Sequence, residues 1–225
     1  VGISSIFMFT EKPAASTSAR GFLGLVSFTG DTYDVDAAGN ATLLGNVTGG
    51  PMFGFGPIAS GANGRTFAVG PGMFSGYSIY EIDLNTLTAT SLFTAATSST
   101  GGVGMAVDPS GNSVWVAGFV GLSLRVQIDE IDLTTGALTT YGDLNGNLWG
   151  LGFDGAGNLY TSMQGTSATN PDLIRIDTTN LLNSVVVGTM TNVDMMMGID
   201  LASDLGSGML HAYSRNTDSI HSIDT

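Results

Sequence analysis

Gly104-Met-Ala-Val-Asp108-Pro-Ser-Gly-Asn112 runs into Ser113-Val-Trp-Val-Ala117, and Gln127-Ile-Asp-Glu-Ile-Asp132 runs through Leu-Thr-Thr-Gly136 into Ala137-Leu-Thr-Thr-Tyr141. The segments are strand length, they alternate with a period of two, and they are separated by turn chemistry. Aspartate opens each turn with its side chain, and glycine or asparagine accepts the positive φ that tight turns demand. The reading is four antiparallel strands in succession.

The same unit recurs along the chain. Gly150-Leu-Gly-Phe-Asp154-Gly-Ala-Gly-Asn158 repeats the first turn, and Gly54-Phe-Gly-Pro-Ile58-Ala-Ser-Gly61-Ala-Asn63-Gly64 repeats it without the aspartate. The third strand closes on an apolar residue and an aspartate at Val35-Asp36, Ile82-Asp83, Ile131-Asp132, Ile176-Asp177 and Ile223-Asp224, the aspartates 47, 49, 45 and 47 residues apart. A period of roughly 40 to 50 residues built from short strands is that of a β-propeller. The expectation is an all-β, five-bladed β-propeller of four-stranded antiparallel blades in one domain, with blades near 1–49, 50–98, 99–144, 145–192 and 193–225. Innermost strands are expected near Ile3 to Phe9, Gly54 to Ile58, Gly104 to Val107, Leu148 to Phe153 and Met197 to Leu201. Nineteen strands can be counted where five full blades need twenty, so the last blade is one strand short within the chain.

These units resemble the Tyr-x-Ile-Asp-x-x-Thr-Gly-x-x-Thr repeats of secreted bacterial β-propellers over nearly the whole chain, most plainly at Tyr80-Glu-Ile-Asp83 and Ile131-Asp-Leu-Thr-Thr-Gly136. The resemblance implies a blade type and no particular activity. Propellers serve many functions, so function has to be argued from sites.

Six basic residues stand against 19 acidic ones, a net charge of −13, and Lys12 is the only lysine. That charge repels phosphates and anionic lipid, so nucleic acid is not an expected partner. No apolar run approaches the ~20 residues of a membrane span. With no cysteine there is no disulfide framework, thiol nucleophile or thiolate metal site. The chain begins at Val1, which fits a mature product whose signal peptide has been removed, and the expected location is extracellular or at the cell surface.

The sixteen aspartates are mostly explained by their place in the repeat. Asp36, Asp83, Asp132, Asp177 and Asp224 start hairpins, Asp108 and Asp154 start inner turns, and Asp34, Glu81 and Glu130 lie on a polar strand face. Calcium is the one inorganic cofactor considered, since hard oxygens are the available ligands. Asp143-Leu-Asn145-Gly-Asn147 has the spacing of a calcium loop and Asp31, Asp34 and Asp36 cluster similarly, but Leu148 stands where glycine should and no glutamate closes either loop. Both are read as turns, and no metal site is assigned. His211 aligns with Phe67, Trp115 and Tyr160, and His221 with Tyr33, Tyr80 and Ile174, which are packing positions. No Gly-x-Ser-x-Gly or three-histidine set is present, and no catalytic residue is assigned.

Two groups of residues remain as candidate sites. Met52, Phe53, Asn145, Asn147, Trp149 and Asp194, with Met195 to Met197, should ring one mouth of the central channel, where they plug the core or stack on a ligand such as a glycan. Ile3, Ile6, Phe7 and Phe9, the hydrophobic loop tips Met73, Phe74, Phe119 and Leu122, and Ile220 and Ser222 on the last strand are candidates for assembly. Apolar tips either pack locally or form a patch for a partner. Open strand edges are templates for strand addition. The expected function is therefore a non-catalytic extracellular structural or adhesive module that self-associates with identical subunits into a ring or filament. The rival is a carbohydrate-binding or carbohydrate-cleaving propeller using the face around Trp149.

Overall fold

The computed structural model describes residues 7–11, 22–26, 29–35, 41–52, 54–72, 75–121, 125–164, 170–191, 199–203, 208–214 and 219–225. Nineteen strands are found among them, with one 3-10 turn at Leu181–Asn183 and no α-helix. β1 (Phe7–Glu11), β2 (Phe22–Val26), β3 (Asp31–Val35) and β4 (Ala41–Asn46) form one antiparallel sheet. The second is β5 (Ile58–Ser60), β6 (Thr66–Pro71), β7 (Tyr77–Asp83) and β8 (Thr88–Ala95). The third is β9 (Gly104–Val107), β10 (Ser113–Phe119), β11 (Arg125–Asp132) and β12 (Leu138–Asn145), and the fourth is β13 (Leu148–Phe153), β14 (Leu159–Gln164), β15 (Pro171–Ile176) and β16 (Val185–Thr189). Last comes a three-stranded sheet of β17 (Ile199–Ser203), β18 (Leu210–Ser214) and β19 (Ser219–Ile223).

The first strands meet around one axis: β1 touches β5, β5 touches β9, β9 touches β13, β13 touches β17, and β17 touches β1. Meandering antiparallel sheets closed into a ring in this way are a β-propeller. Such crowding needs bare backbone. A Cβ on Gly104 would lie 2.6 Å from the Gly150 carbonyl carbon, and the Gly150 N–H donates across the sheets to the Val103 carbonyl.

The strand boundary differs from the sequence reading at β5, which begins at Ile58 rather than Gly54, while residues 3–6 and 197–198 of the expected first and last inner strands fall outside the described residues. At β5 the reason is visible: the Gly56 N–H donates to the Val69 carbonyl and Pro57 offers no N–H of its own, so an irregular approach precedes the regular ladder.

The turns follow the aspartates. One Asp132 carboxylate oxygen accepts the Thr134 and Thr135 N–H groups at 2.8 and 2.7 Å and the Thr135 hydroxyl at 3.0 Å. Asp83 and Asp177 do the same with Asn85 and Thr179, each N–H at 2.8 Å. These bonds hold the three carboxyls below the usual carboxylate range, led by the Asn85 N–H at Asp83, the Thr135 N–H at Asp132 and the Thr179 hydroxyl at Asp177. In the second sheet, Asn63 replaces the inner-turn aspartate and accepts the Arg65 N–H at 3.1 Å.

A feature that the sequence pattern hides is a β-bulge repeated in every complete sheet. The pairing of third and fourth strands shifts between Thr32 and Tyr33, Ile79 and Tyr80, Ile128 and Asp129, and Leu173 and Ile174. The extra residue on the outer strand is Leu44, Leu92, Tyr141 or Val187, in each case large and apolar.

The core lies between sheets. Phe67, Ile79, Met105, Val114, Val116 and Ile131 join the second sheet to the third, and Trp115, Ile128, Leu151, Phe153 and Leu159 join the third to the fourth. Burial of these side chains contributes roughly 1.5 to 3 kcal/mol each.

Candidate interaction edge

β19 pairs with β18 alone among the described residues, whereas the third strand of every other sheet is covered by a fourth. The N–H of Asp132 donates outward to the fourth-strand side, at Ala137. Since strand backbone groups alternate sides, the equivalent Asp224, Ser222 and Ile220 direct their N–H and C=O groups to the open edge. The four covered third strands carry Asp31 and Asp34, Glu81 and Asp83, Arg125 with three carboxylates, and Asp172 with Arg175. β19 reads Ser-Ile-His-Ser-Ile and carries no carboxylate or arginine. Charge is one of the means by which edges are kept from pairing, and on this edge the only carboxylate is Asp224 at its end.

Exposed apolar residues gather beside the same sheet. Of the large ones, Leu43 and Leu44 lie on β4, and Val185, Val186 and Val187 on β16, the last three 45–56% exposed. β4 and β16 are the outer strands of the two sheets that flank the three-stranded one, as the contacts of β17 with β1 and β13 show. On the outer strands of the second and third sheets, by contrast, Leu92, Phe93, Leu138 and Tyr141 pack on the core. Neighbouring sheets normally cover each other's outer strands, and among the described residues the last sheet has no fourth strand to do so.

Ile220 and Ser222 therefore lie on this edge, with Ser222 exposed and its hydroxyl 3.3 Å from His211 Nδ1. His211 pairs across the ladder with Ser222 in the register in which Trp115 pairs with Glu130, the position expected of it. Phe119 is not a loop tip. It ends β10 and meets the Trp149 ring edge to face at 6.0 Å. Phe7 and Phe9 lie in β1, with backbone pairing to β2, and Ile3, Ile6, Met73, Phe74 and Leu122 fall outside the described residues.

The channel-mouth set is only partly brought together. Met52 is 91% exposed in a turn, while Trp149 lies in β13 between two core clusters with its indole Nε1 buried and without a hydrogen-bond partner among the described residues. Asn147 donates to Gln164 at 3.1 Å. Asp143 and Asn145 belong to β12 rather than to a loop, and Asp143 is paired with Arg125. Phe53, Asp194, Met195 to Met197 and Asp36 fall outside the described residues. No group of three or more His, Asp or Glu side chains suited to a metal ion occurs among the described residues. A shallow polar cavity of about 280 Å³ lies elsewhere, lined by Asn158, Arg175, Asp177 and Asn183.

Sequence reading missed two polar constellations. Glu81 is not merely solvated: Arg65 holds it through two bonds of 2.7 and 2.9 Å, which lower the Glu81 carboxyl, and the guanidinium also covers the Phe67 ring. Asp129, wholly buried, accepts Tyr77, Gln127 and Thr140. The signal for the second was the carboxylate at an inward position of Gln127-Ile-Asp-Glu-Ile-Asp132, where the other third strands carry Tyr33, Tyr80, Ile174 and His221.

No protein-family model matches the chain, and no curated protein matches it. Solved structures do. A chain of a nidogen–laminin complex superposes with a TM-score of 0.62 at 12% identity, covering 98% of this chain and 76% of that one. A gluconolactonase from Xanthomonas campestris gives 0.60 at 16% identity, over 92% and 70% of the two chains. Regucalcin, a calcium-binding protein from Agrobacterium tumefaciens, gives 0.55 at 12% identity, over 99% and 72%. At these identities the likeness shows the propeller fold alone.

Proposed function

We propose that this protein is a non-catalytic structural or adhesive module that joins to another polypeptide chain by strand addition at β19. In this reading the three-stranded sheet is a fifth blade, with three strands among the described residues. The observation that carries it is the open edge of β19, which bears a carboxylate only at its end, Asp224, and is set between the exposed apolar strands β4 and β16. An added strand exchanges water for a ladder of backbone hydrogen bonds and gains the burial of those leucines and valines. Where the joined chain belongs to a further molecule of this protein, the contact is heterologous and builds a ring or filament. The extracellular or cell-surface setting rests on the likeness of the repeats to those of secreted bacterial propellers.

Amide hydrogen exchange tests the reading. In native assembled material the Ile220, Ser222 and Asp224 amides should be protected, and in the isolated chain they should exchange fast. Ser222→Pro removes one outward N–H without touching the β18 ladder and should abolish assembly. Native material that is monomeric, with these amides unprotected, would defeat the proposal.

A further inference from the structure

The complete sheets share one plan, yet they are not interchangeable where one meets the next. In the second, third and fourth sheets the residue four places after the hairpin aspartate is Leu87, Gly136 or Leu181, and it faces the outer strand of the sheet before it. The residue it meets follows the bulge and holds one register position throughout: Gly45 opposite Thr32, Phe93 opposite Ile79, and Gly142 opposite Ile128. Large meets small at all three junctions. A Cβ on Gly45 would lie 2.5 Å from Leu87 Cδ1, one on Gly136 2.5 and 2.8 Å from Phe93 Cδ1 and Cε1, and one on Gly142 3.7 Å from Leu181 Cδ1. The sense of the pair reverses each time: the knob is on the hairpin, then on the strand, then on the hairpin again.

Turn chemistry alone does not set these sizes. Leu87 sits at φ 52°, the only non-glycine residue at positive φ among the described residues, whereas Gly136 occupies the same hairpin place at φ 72°. A leucine is strained there and a glycine is not. Such strain persists only where the surroundings over-determine it. What holds Leu87 is its side chain, packed on the core between the first and second sheets where Gly45 leaves room. At the middle junction the hairpin carries the relaxed glycine, and the bulk has moved across to Phe93.

We infer that these pairs are a steric code that fixes which sheet packs on which. A junction that skips one sheet puts like on like. The outer strand of the first sheet against the hairpin of the third sets Gly45 on Gly136 and leaves a void, and that of the second against the fourth sets Phe93 on Leu181, where the side chains overlap. The same holds between two copies of the chain: the second sheet on its own kind brings Phe93 onto Leu87, and the third on its own kind brings Gly142 onto Gly136. Voids and overlaps both destabilise. Repeats of similar sequence are prone to misassembly and to exchange between chains. Mismatch at the slipped and exchanged junctions raises those states above the native order.

Melting temperatures test the contacts, and refolding tests the order. Gly136→Ala and Gly157→Ala each place a Cβ at positive φ, 72° and 82°, but among the described residues nothing lies within 4 Å of the second. Gly136→Ala should therefore melt about 5 °C below Gly157→Ala. Phe93→Ala should cost less than about half as much in Gly136→Ala as in the parent. Leu87→Gly relieves the strain but empties the contact, and should melt about 3 °C or more below the parent. A Leu87→Gly protein melting at or above the parent would show that the side chain matches nothing, and the inference fails. Leu87→Gly combined with Phe93→Ala makes native and slipped junctions alike, void on void. Diluted from urea at a temperature equally far below each melting point, this double variant should regain native protease resistance in about half as many chains as Val116→Ala, a core change that leaves the pairs intact. Equal recovery would mean that the pairs add stability without selecting the order, which overturns the code.

Discussion

The Tyr77 hydroxyl donates to the Asp129 carboxylate at 3.1 Å, linking the third strand of one sheet to the third strand of the next. Both side chains are buried. Gln127 Nε2 donates to the same carboxylate at 2.7 and 3.0 Å, Thr140 at 2.7 Å and Thr97 at 3.3 Å. A buried charge is tolerable when its lone pairs are met by donors, and the buried Tyr77 hydroxyl would be stranded if the carboxylate were lost. Asp129 thus acts as a polar staple between sheets otherwise joined by apolar contacts.

Asp129→Ala should cost about 3 kcal/mol in urea denaturation, and Tyr77→Phe about 1 to 2 kcal/mol, since the latter removes one donor from a carboxylate that keeps others. The pair also has a pH signature. Burial, then the charge of Asp129 and the bond to it, push the Tyr77 hydroxyl well above its ordinary value. A raised pKa in the folded state gives stability that is full below the unfolded value near 10 and is lost as pH rises past it. Stability should therefore fall steeply above about pH 10, and Tyr77→Phe should flatten that limb. Parallel alkaline limbs for the two proteins would contradict the assignment.

Leu181 and Leu182 adjoin in sequence and differ in fate. Leu181 is 7% exposed in the core between the third and fourth sheets, over Gly142, while Leu182 is 88% exposed. Leu181→Ala should destabilise by about 2 to 4 kcal/mol, and Leu182→Ala should stay within about 0.5 kcal/mol of the parent. Guanidinium denaturation of the two variants side by side checks the inter-sheet pairing. Equal losses would show that the 3-10 turn sits otherwise than described.

The Asp143 to Asn147 stretch has calcium-loop spacing in sequence but occupies the end of β12 and the link to β13, and its first carboxylate is engaged by Arg125. A ligand shared with an arginine, in a segment whose residues point to alternate faces, makes a poor oxygen cage. EDTA should leave the melting temperature within about 2 °C, and millimolar calcium should not raise it. A calcium-dependent rise that Asp143→Asn removes would place a metal there.

How far the sequence could be read follows from what each residue depends on. The strands and turns were legible because hairpin aspartates such as Asp132 act on N–H groups two and three residues away, a local matter that spacing reveals. The bulges were not, because Leu44, Leu92, Tyr141 and Val187 look like ordinary alternating residues until the partner strand sets the register. Phe119 was read as a loop tip for want of the knowledge that Trp149, thirty residues on, lies across it. The short last sheet was visible in the count of strands. That its neighbours β4 and β16 are left uncovered required the order of sheets around the ring.

Asp154 offers the opposite pH signature to Tyr77. Burial pushes its carboxyl up, but the Asn158 side chain and N–H, the Tyr160 hydroxyl and the Ala156 N–H together hold it below the ordinary carboxylate value. Those bonds span 2.8 to 3.0 Å and tie the inner turn of the fourth sheet to the start of β14. A depressed folded pKa gives stability that is present above the unfolded value near 3.9 and is lost as pH falls through the lower folded one. Asp154→Ala should cost about 1 to 2 kcal/mol at pH 7, and the gap to the parent should narrow as pH falls below the unfolded carboxylate value toward the lower folded one. Thermal melts at steps from pH 7 to pH 2 measure this directly. A gap that stays constant through that range would mean that the Asp154 side chain acts through its shape in the turn and that its charge is immaterial.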